Sequence, residues 1–114
     1  MIMRELNEEQ LMELTQEGRT DCAVFLFTPM CGTCQAARRM LEVLEAMDDQ
    51  LPLYAGNVNL TPRLAQNWQI ESVPCVAFVQ QGRLVEKMYA IQSVPALYER
   101  FLKYGLMNGR ATGQ

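Results

Sequence analysis

The sequence contains no histidine. That excludes Cys/His zinc fingers and any histidine general base. Positive charge is scarce as well: ten Lys and Arg stand against thirteen Asp and Glu, a formal net charge of -3. Such a balance is not built around a polyanion, so nucleic acid is not expected as a partner, although a small basic patch is compatible with it. No apolar run approaches the ~20 residues that cross a bilayer, and the N-terminal stretch lacks the apolar core of a secretory signal. We therefore expect a reducing cytoplasmic setting with no membrane partner. In that setting four cysteines do not read as a structural disulfide framework. No repeat or linker divides the 114 residues. One domain with a single hydrophobic core is expected over residues 1–106, with 107–114 as a flexible, largely polar tail.

What is present centres on Cys31-Gly32-Thr33-Cys34. Upstream lies the apolar run Ala23-Val24-Phe25-Leu26-Phe27, followed by the turn-like Thr28-Pro29-Met30. Downstream, Ala36, Ala37, Met40, Leu41, Val43, Leu44 and Met47 recur at helical spacing, with Arg38, Arg39, Glu42 and Glu45 between them. Cys31 therefore sits at the first turn of a helix and Cys34 one turn further in. The first N–H groups of a helix lack internal partners, and the helix dipole places partial positive charge there. Both favour a thiolate at Cys31 and can bring a cysteine pKa from ~8.5 into the range ~3.5–7.5. Gly32 permits a tight approach. The spacing suits two steps: Cys31 attacks a disulfide, and Cys34 resolves the mixed disulfide.

Along the rest of the chain, residues 2–6 form a candidate edge strand. Asn7 and Gln10 have the spacing of a capping box, with Leu11 and Leu14 on the buried face and Gly18 as the stop. Glu8, Glu9 and Glu13 suit the exposed face of that helix. A strand over 22–27 shows little alternation and is expected to be covered on both faces. A helix runs from about Gly32 to Met47. Residues 53–59 form a weaker strand in which Gly56 marks a bulge. Thr61-Pro62 reads as an N-cap with proline at the first helical position, opening a short helix with Leu64 and Ala65. Strands over 75–79 and 83–89 join through Gln81-Gly82 as a hairpin. Ser93 caps a last helix, and Gly105 ends it. The order β-α-β-α-β-α-β-β-α gives an α/β fold: a mixed central sheet flanked by helices on both faces.

Three features together resemble the thioredoxin family, over nearly the full chain. They are Phe25-Leu26-Phe27-Thr28-Pro29-Met30-Cys31-Gly32-Thr33-Cys34, then Ile70-Glu71-Ser72-Val73-Pro74, then Phe78-Val79-Gln80-Gln81-Gly82. The resemblance implies a thioredoxin-like fold and a disulfide oxidoreductase of cell redox homeostasis and electron transport. It makes Cys31 the nucleophile, Cys34 the resolving thiol and Pro74 a cis-proline facing the dithiol. Met30, Gly32, Thr33, Val73 and Pro74 then form the substrate-binding surface. Implied partners are disulfide-containing proteins or small-thiol adducts, with a reductase or a low-molecular-weight thiol as electron donor. No cofactor or metal is required, and a monomer is the default.

The departures are specific. Met30 stands where thioredoxins carry tryptophan, and Thr33 where they carry proline. Their buried aspartate falls on Phe25 and its lysine partner on Ala55, so nothing ionisable is expected beneath Cys34. Burial should then hold the Cys34 thiol protonated, and turnover as a general reductant is expected to be slow. Arg38 and Arg39 read as the solvated side of the helix, with little direct effect on Cys31. Cys22 reads as a small core residue. Cys75 reads either as core or as a third thiol near the site. Two other functions remain open: glutaredoxin-like reduction of low-molecular-weight-thiol mixed disulfides, and a metal- or peptide-binding module without turnover.

Overall fold

Residues 22–27 lack alternation because both of their faces are covered. This is seen in a computed structural model that describes residues 3–16 and 18–108. In chain order the elements are β1 (Arg4–Glu5), α1 (Glu8–Leu14), β2 (Cys22–Phe27), α2 (Gly32–Met47), β3 (Leu53–Asn57), a 3-10 turn (Val58–Leu60), α3 (Pro62–Asn67), β4 (Cys75–Gln80), β5 (Arg83–Met88) and α4 (Val94–Lys103). The sheet order is β1-β3-β2-β4-β5. β1, β3 and β2 are parallel, whereas β4 runs antiparallel to β2 and β5 antiparallel to β4. This is the expected α/β architecture, with β2 at its centre.

Every residue of β2 is buried, and successive side chains enter opposite cores. Ala23, Phe25 and Phe27 pack with Cys34, Ala37, Leu41 and Leu44 of α2 and with Leu97 and Phe101 of α4. Cys22, Val24 and Leu26 pack with Leu11 of α1 and Leu64 of α3. Helices α2 and α4 thus cover one face, and α1 and α3 the other. The sheet stands between the thiol of Cys34 and those of Cys22 and Cys75, which lie in the α1/α3 core.

Several local signals act as read. Asn7 Oδ1 accepts from Gln10 N–H at 2.8 Å, and Asn7 N–H donates to Gln10 Oε1 at 2.9 Å. Ser93 Oγ accepts from Ala96 N–H at 3.1 Å. Gln81 and Gly82 both take positive φ, 52° and 80°, the conformation of a two-residue type I′ hairpin turn. Gly105, at φ 70°, ends α4. Leu106 N–H then reaches back to Phe101 O at 2.9 Å in a Schellman closure.

Others act differently. Helix α1 stops at Leu14, well before Gly18, where Thr15 Oγ1 donates to Leu11 O at 2.7 Å. Thr61 caps nothing with its side chain; its hydroxyl donates to Asn57 O at 3.2 Å. The cap of α3 comes from Glu8, whose Oε2 accepts from Arg63 N–H at 2.6 Å and Leu64 N–H at 2.9 Å. A carboxylate there meets the positive end of the helix, and this takes Glu8 off the solvated face. Glu45, in the polar set of α2, is buried, and its Oε1 has no hydrogen-bond partner; burial raises its carboxyl pKa. Met107 is buried in the α2/α4 core at 4% exposure. The rest of the expected tail beyond Asn108, like Ile2, lies outside the described residues.

Gly56 marks no bulge. The β2–β3 register is unbroken through Leu26 and Gly56, and the irregularity falls between Phe78 and Val79. Glycine is needed for clearance: a Cβ at position 56 would lie 2.7 Å from Leu11 Cδ1 and 3.2 Å from Leu26 Cδ2. Both leucines are fully buried and have little room to yield. Gly56→Ala is expected to lower stability by about 1–3 kcal/mol in urea titrations. An unchanged midpoint would show that Leu11 swings aside freely.

Candidate active site

Strand β2 ends at Phe27, and three residues of loop deliver Cys31 to the N-cap position of α2. Cys31 is extended, at φ -122° and ψ 111°, so its sulfur turns back over the first helical turn. There Sγ accepts from Cys34 N–H at 3.1 Å. A sulfur here does what Ser or Asp does at other helix starts, and the N–H group it engages stabilises negative charge on it. Thr33 Oγ1 lies 3.3 Å from the same sulfur.

The two thiols are pushed apart. Hydrogen bonds from the Cys34 thiol and the Thr33 hydroxyl hold Cys31 below the ordinary cysteine value, and the backbone N–H groups of Cys34 and Thr33 add to this. Burial pushes Cys34 up to about 11, and its hydrogen bond to Cys31 pushes the same way. Cys31 is only partly buried, while Cys34 is 3% exposed. An accessible sulfur poised as thiolate thus stands beside a covered one kept as thiol. Thiol–disulfide exchange needs this division between attacking and resolving groups. Cys22 and Cys75, fully buried, are each pushed up to about 12, with burial as the main cause.

A Cβ built at the exposed Gly32 meets nothing within 4 Å, so the free chain does not require glycine there for a tight approach. Thr33 shows what its departure from proline does: a hydroxyl now faces the Cys31 sulfur. Met30 is 95% exposed beside it.

The Val73–Pro74 peptide is cis. Val73 and Cys31 both pack against the α2/α4 core. The segment leading to Pro74 is tied to β5 and the residue after it. Lys87 Nζ donates to Trp68 O at 3.0 Å and Gln69 O at 2.9 Å, and Glu71 N–H donates to Tyr89 Oη at 3.1 Å. Sequence reasoning left these two anchors without a role. Trp68 and Ile70 pack on the α1/α3 side. Val58, Ala65, Ile70, Glu71, Ser72 and Val73 line a shallow concavity of about 290 Å³.

Beneath Cys34 the sheet is apolar. Phe25 and Ala55 are cross-strand neighbours and both fully buried in the same core as Cys34. Charge enters from elsewhere. The Arg38 guanidinium lies 5.4 Å over the Phe25 ring centroid and 4.9 Å over that of Phe27. Arg38 is therefore half-buried on the core side, not on the solvated side of α2. Its charge favours the Cys34 thiolate. Among the described residues, no three His, Cys, Asp or Glu side chains cluster as metal ligands.

Alkylation against pH reads the two thiols directly. Cys31 is expected to react with a midpoint below the ordinary thiol value and Cys34 far above it. Thr33→Val removes a donor to the thiolate and should move the Cys31 midpoint upward. A midpoint that stays in place would show that the Thr33 hydroxyl is a bystander.

The comparisons with known proteins agree with this geometry. The family model for Thioredoxin matches residues 3–103. The chain is 42% identical over 97 residues to thioredoxin-like protein YusE of Bacillus subtilis (strain 168), covering 85% of this chain and 89% of the relative. It superposes on mitochondrial thioredoxin 3 of Saccharomyces cerevisiae in the oxidised form, with a TM-score of 0.74 at 17% identity, over 89% of this chain and 94% of the other. A mutant thioredoxin from Halobacterium salinarum NRC-1 superposes with a TM-score of 0.73 at 19% identity, over 94% of each chain. The family match spans most of the chain, and it is joined by a close relative and by the shared fold: the chain belongs to the thioredoxin family, a family of thiol–disulfide oxidoreductases.

Proposed function

We propose that this protein reduces or exchanges disulfides through a Cys31/Cys34 dithiol. One observation carries the reading. The N–H of Cys34 donates to the Cys31 sulfur at 3.1 Å, so a thiolate-prone, accessible sulfur sits one helical turn from a buried, protonated partner.

The cycle balances in two steps. The Cys31 thiolate attacks one sulfur of R–S–S–R′; the Cys31–S–R bond forms, and R′–S⁻ leaves and takes up a proton. Cys34 then gives up its proton and attacks Cys31 Sγ. The Cys31–Cys34 bond forms, R–S⁻ leaves, and two electrons have passed from the dithiol to the substrate. A reductase or a low-molecular-weight thiol returns them. The dithiol carries both electrons itself, so these steps call on no further cofactor. Met30, Gly32 and Thr33, together with Val73 and Pro74, form the surface that meets the substrate. Within this reading the protein is a cytoplasmic monomer acting on protein disulfides or small-thiol adducts, with neither nucleic acid nor membrane involved. Among the described residues, no helix is long and apolar enough to cross a membrane.

Cys34→Ser is expected to accumulate mixed disulfides on Cys31 when the reduced protein meets oxidised substrates, as read by non-reducing mass spectrometry. Cys31→Ser should accumulate none, and equal trapping by the two variants would reverse or sink the assignment. Phe25 and Ala55 leave the resolving thiol without a carboxylate–lysine pair, so we expect slow turnover as a general reductant. Phe25→Asp should speed reduction where the fold survives. An unchanged rate in a folded variant would clear the missing acid of blame.

A further inference from the structure

The resolving step poses a problem that the thiolate at Cys31 does not solve. Once Cys31 is tied up in a mixed disulfide, its charge and its hydrogen bond no longer act on Cys34. Burial still opposes ionisation, whereas a backbone hydrogen bond from Thr28 and the charge of Arg38 favour it. Cys34 must nevertheless become a nucleophile in that state. The elements packed against α2 here bring apolar side chains: Phe25 and Phe27 of β2, Ala55 of β3, Val76 of β4 and Phe101 of α4. Arg38, one turn beyond Cys34 on the same helix, brings a positive charge to it.

Its placement is fixed by contact. The guanidinium lies over two buried rings, 4.9 Å from the Phe27 centroid and 5.4 Å from that of Phe25, where a ring face attracts a cation. Phe25 and Phe27 are themselves stacked at 5.7 Å, so they make one platform. Glu42 and Glu45 follow Arg38 at one and two turns along the same face of α2, and the Arg38 charge lowers the Glu45 carboxyl against the burial that raises it. Among the described residues, neither forms an ion pair with Arg38. Arg38 thus has an acid within electrostatic reach at Glu45, whose own charge burial disfavours, but no direct ion-pair contact with it.

We propose that Arg38, held on the Phe25/Phe27 platform, is a positioning residue for the resolving step: it supplies the positive charge that stabilises the Cys34 thiolate once Cys31 is disulfide-bonded. It replaces a buried acid that would relay the proton by a fixed cation that makes losing the proton easier. The Cys34 proton goes to solvent or to the departing thiolate, the Cys31–Cys34 bond forms and the Cys31–substrate bond breaks. The inference rests on the dithiol reading of the preceding section.

Stopped-flow reaction of the reduced full chain with limiting dithiobis(nitrobenzoate) separates the two steps. The first nitrobenzoate thiolate reports attack by Cys31, and the second reports resolution by Cys34. Arg38→Met keeps the aliphatic packing and removes the charge, while Arg38→Lys keeps the charge. We expect Arg38→Met to leave the first phase unchanged. It should slow the second roughly three- to fivefold at neutral pH and shift its pH profile to higher pH, since the variant thiol holds its proton more tightly. Arg38→Lys should recover most of the rate and the profile. If both phases and the pH profile of Arg38→Met match the wild type, the proposal fails and the dithiol reading stands. If Met and Lys variants slow the second phase equally with no shift in profile, Arg38 acts by packing alone and the proposal also fails. If the wild type releases no second thiolate, the dithiol reading itself falls.

Discussion

A sulfur caps a helix, and the site follows from that one contact. The N–H of Cys34 points at Cys31 Sγ because α2 begins at Gly32, and α2 begins there because β2 ends at Phe27 and the loop has only three residues in which to turn. The helix can hold that position because its inner face, Ala37, Leu41 and Leu44, is pressed onto the odd-numbered side chains of β2. The same burial that anchors the helix covers Cys34. Packing and reactivity therefore share a cause: the core that fixes the Cys31 sulfur at the helix end also makes its partner a reluctant acid.

The charge pattern of the site departs from the buried acid that the resemblance implies. An acid beneath the resolving thiol would accept a proton. Here two aromatic rings and an alanine fill that space, and a guanidinium rests on the rings from the helix side. A cation and an acid solve different halves of one problem. The acid gives the proton a destination, while the cation lowers the cost of the charge left behind.

Much of this was legible in the sequence because it is carried by short-range rules. The capping box at Asn7, the Gln81-Gly82 turn, the cap at Ser93 and the double-sided burial of β2 each depend on a few neighbouring residues. So does the placement of Cys31 at a helix start. What was missed is carried by contacts between distant segments. Glu8 caps α3 from 55 residues away, and no local pattern announces that. Gly56 looked like a bulge because the side chain that forbids a Cβ there belongs to Leu11. Arg38 was assigned to solvent on helical periodicity, yet a long side chain lies where its tip finds partners, and its partners are rings on β2. Thr33 was read as a missing proline and as part of the substrate-binding surface; that its hydroxyl reaches the Cys31 sulfur needed the turn geometry.

The sheet's role as a partition has a further result. Four cysteines allow three ways of forming two bridges. In the folded chain Cys22 and Cys75 lie on one side of the sheet and Cys34 on the other. Cys22 sits opposite Val79 and Cys75 opposite Leu26, four positions apart along the ladder, or about 13 Å at strand spacing. That exceeds the span of ~7 Å that a disulfide tolerates between Cα atoms. An oxidant meeting the native protein therefore finds one intramolecular product to make, and scrambled isomers become reachable only after the sheet has come apart. Fidelity of oxidation in this chain is a property of its tertiary structure, and it is lost at the moment of unfolding.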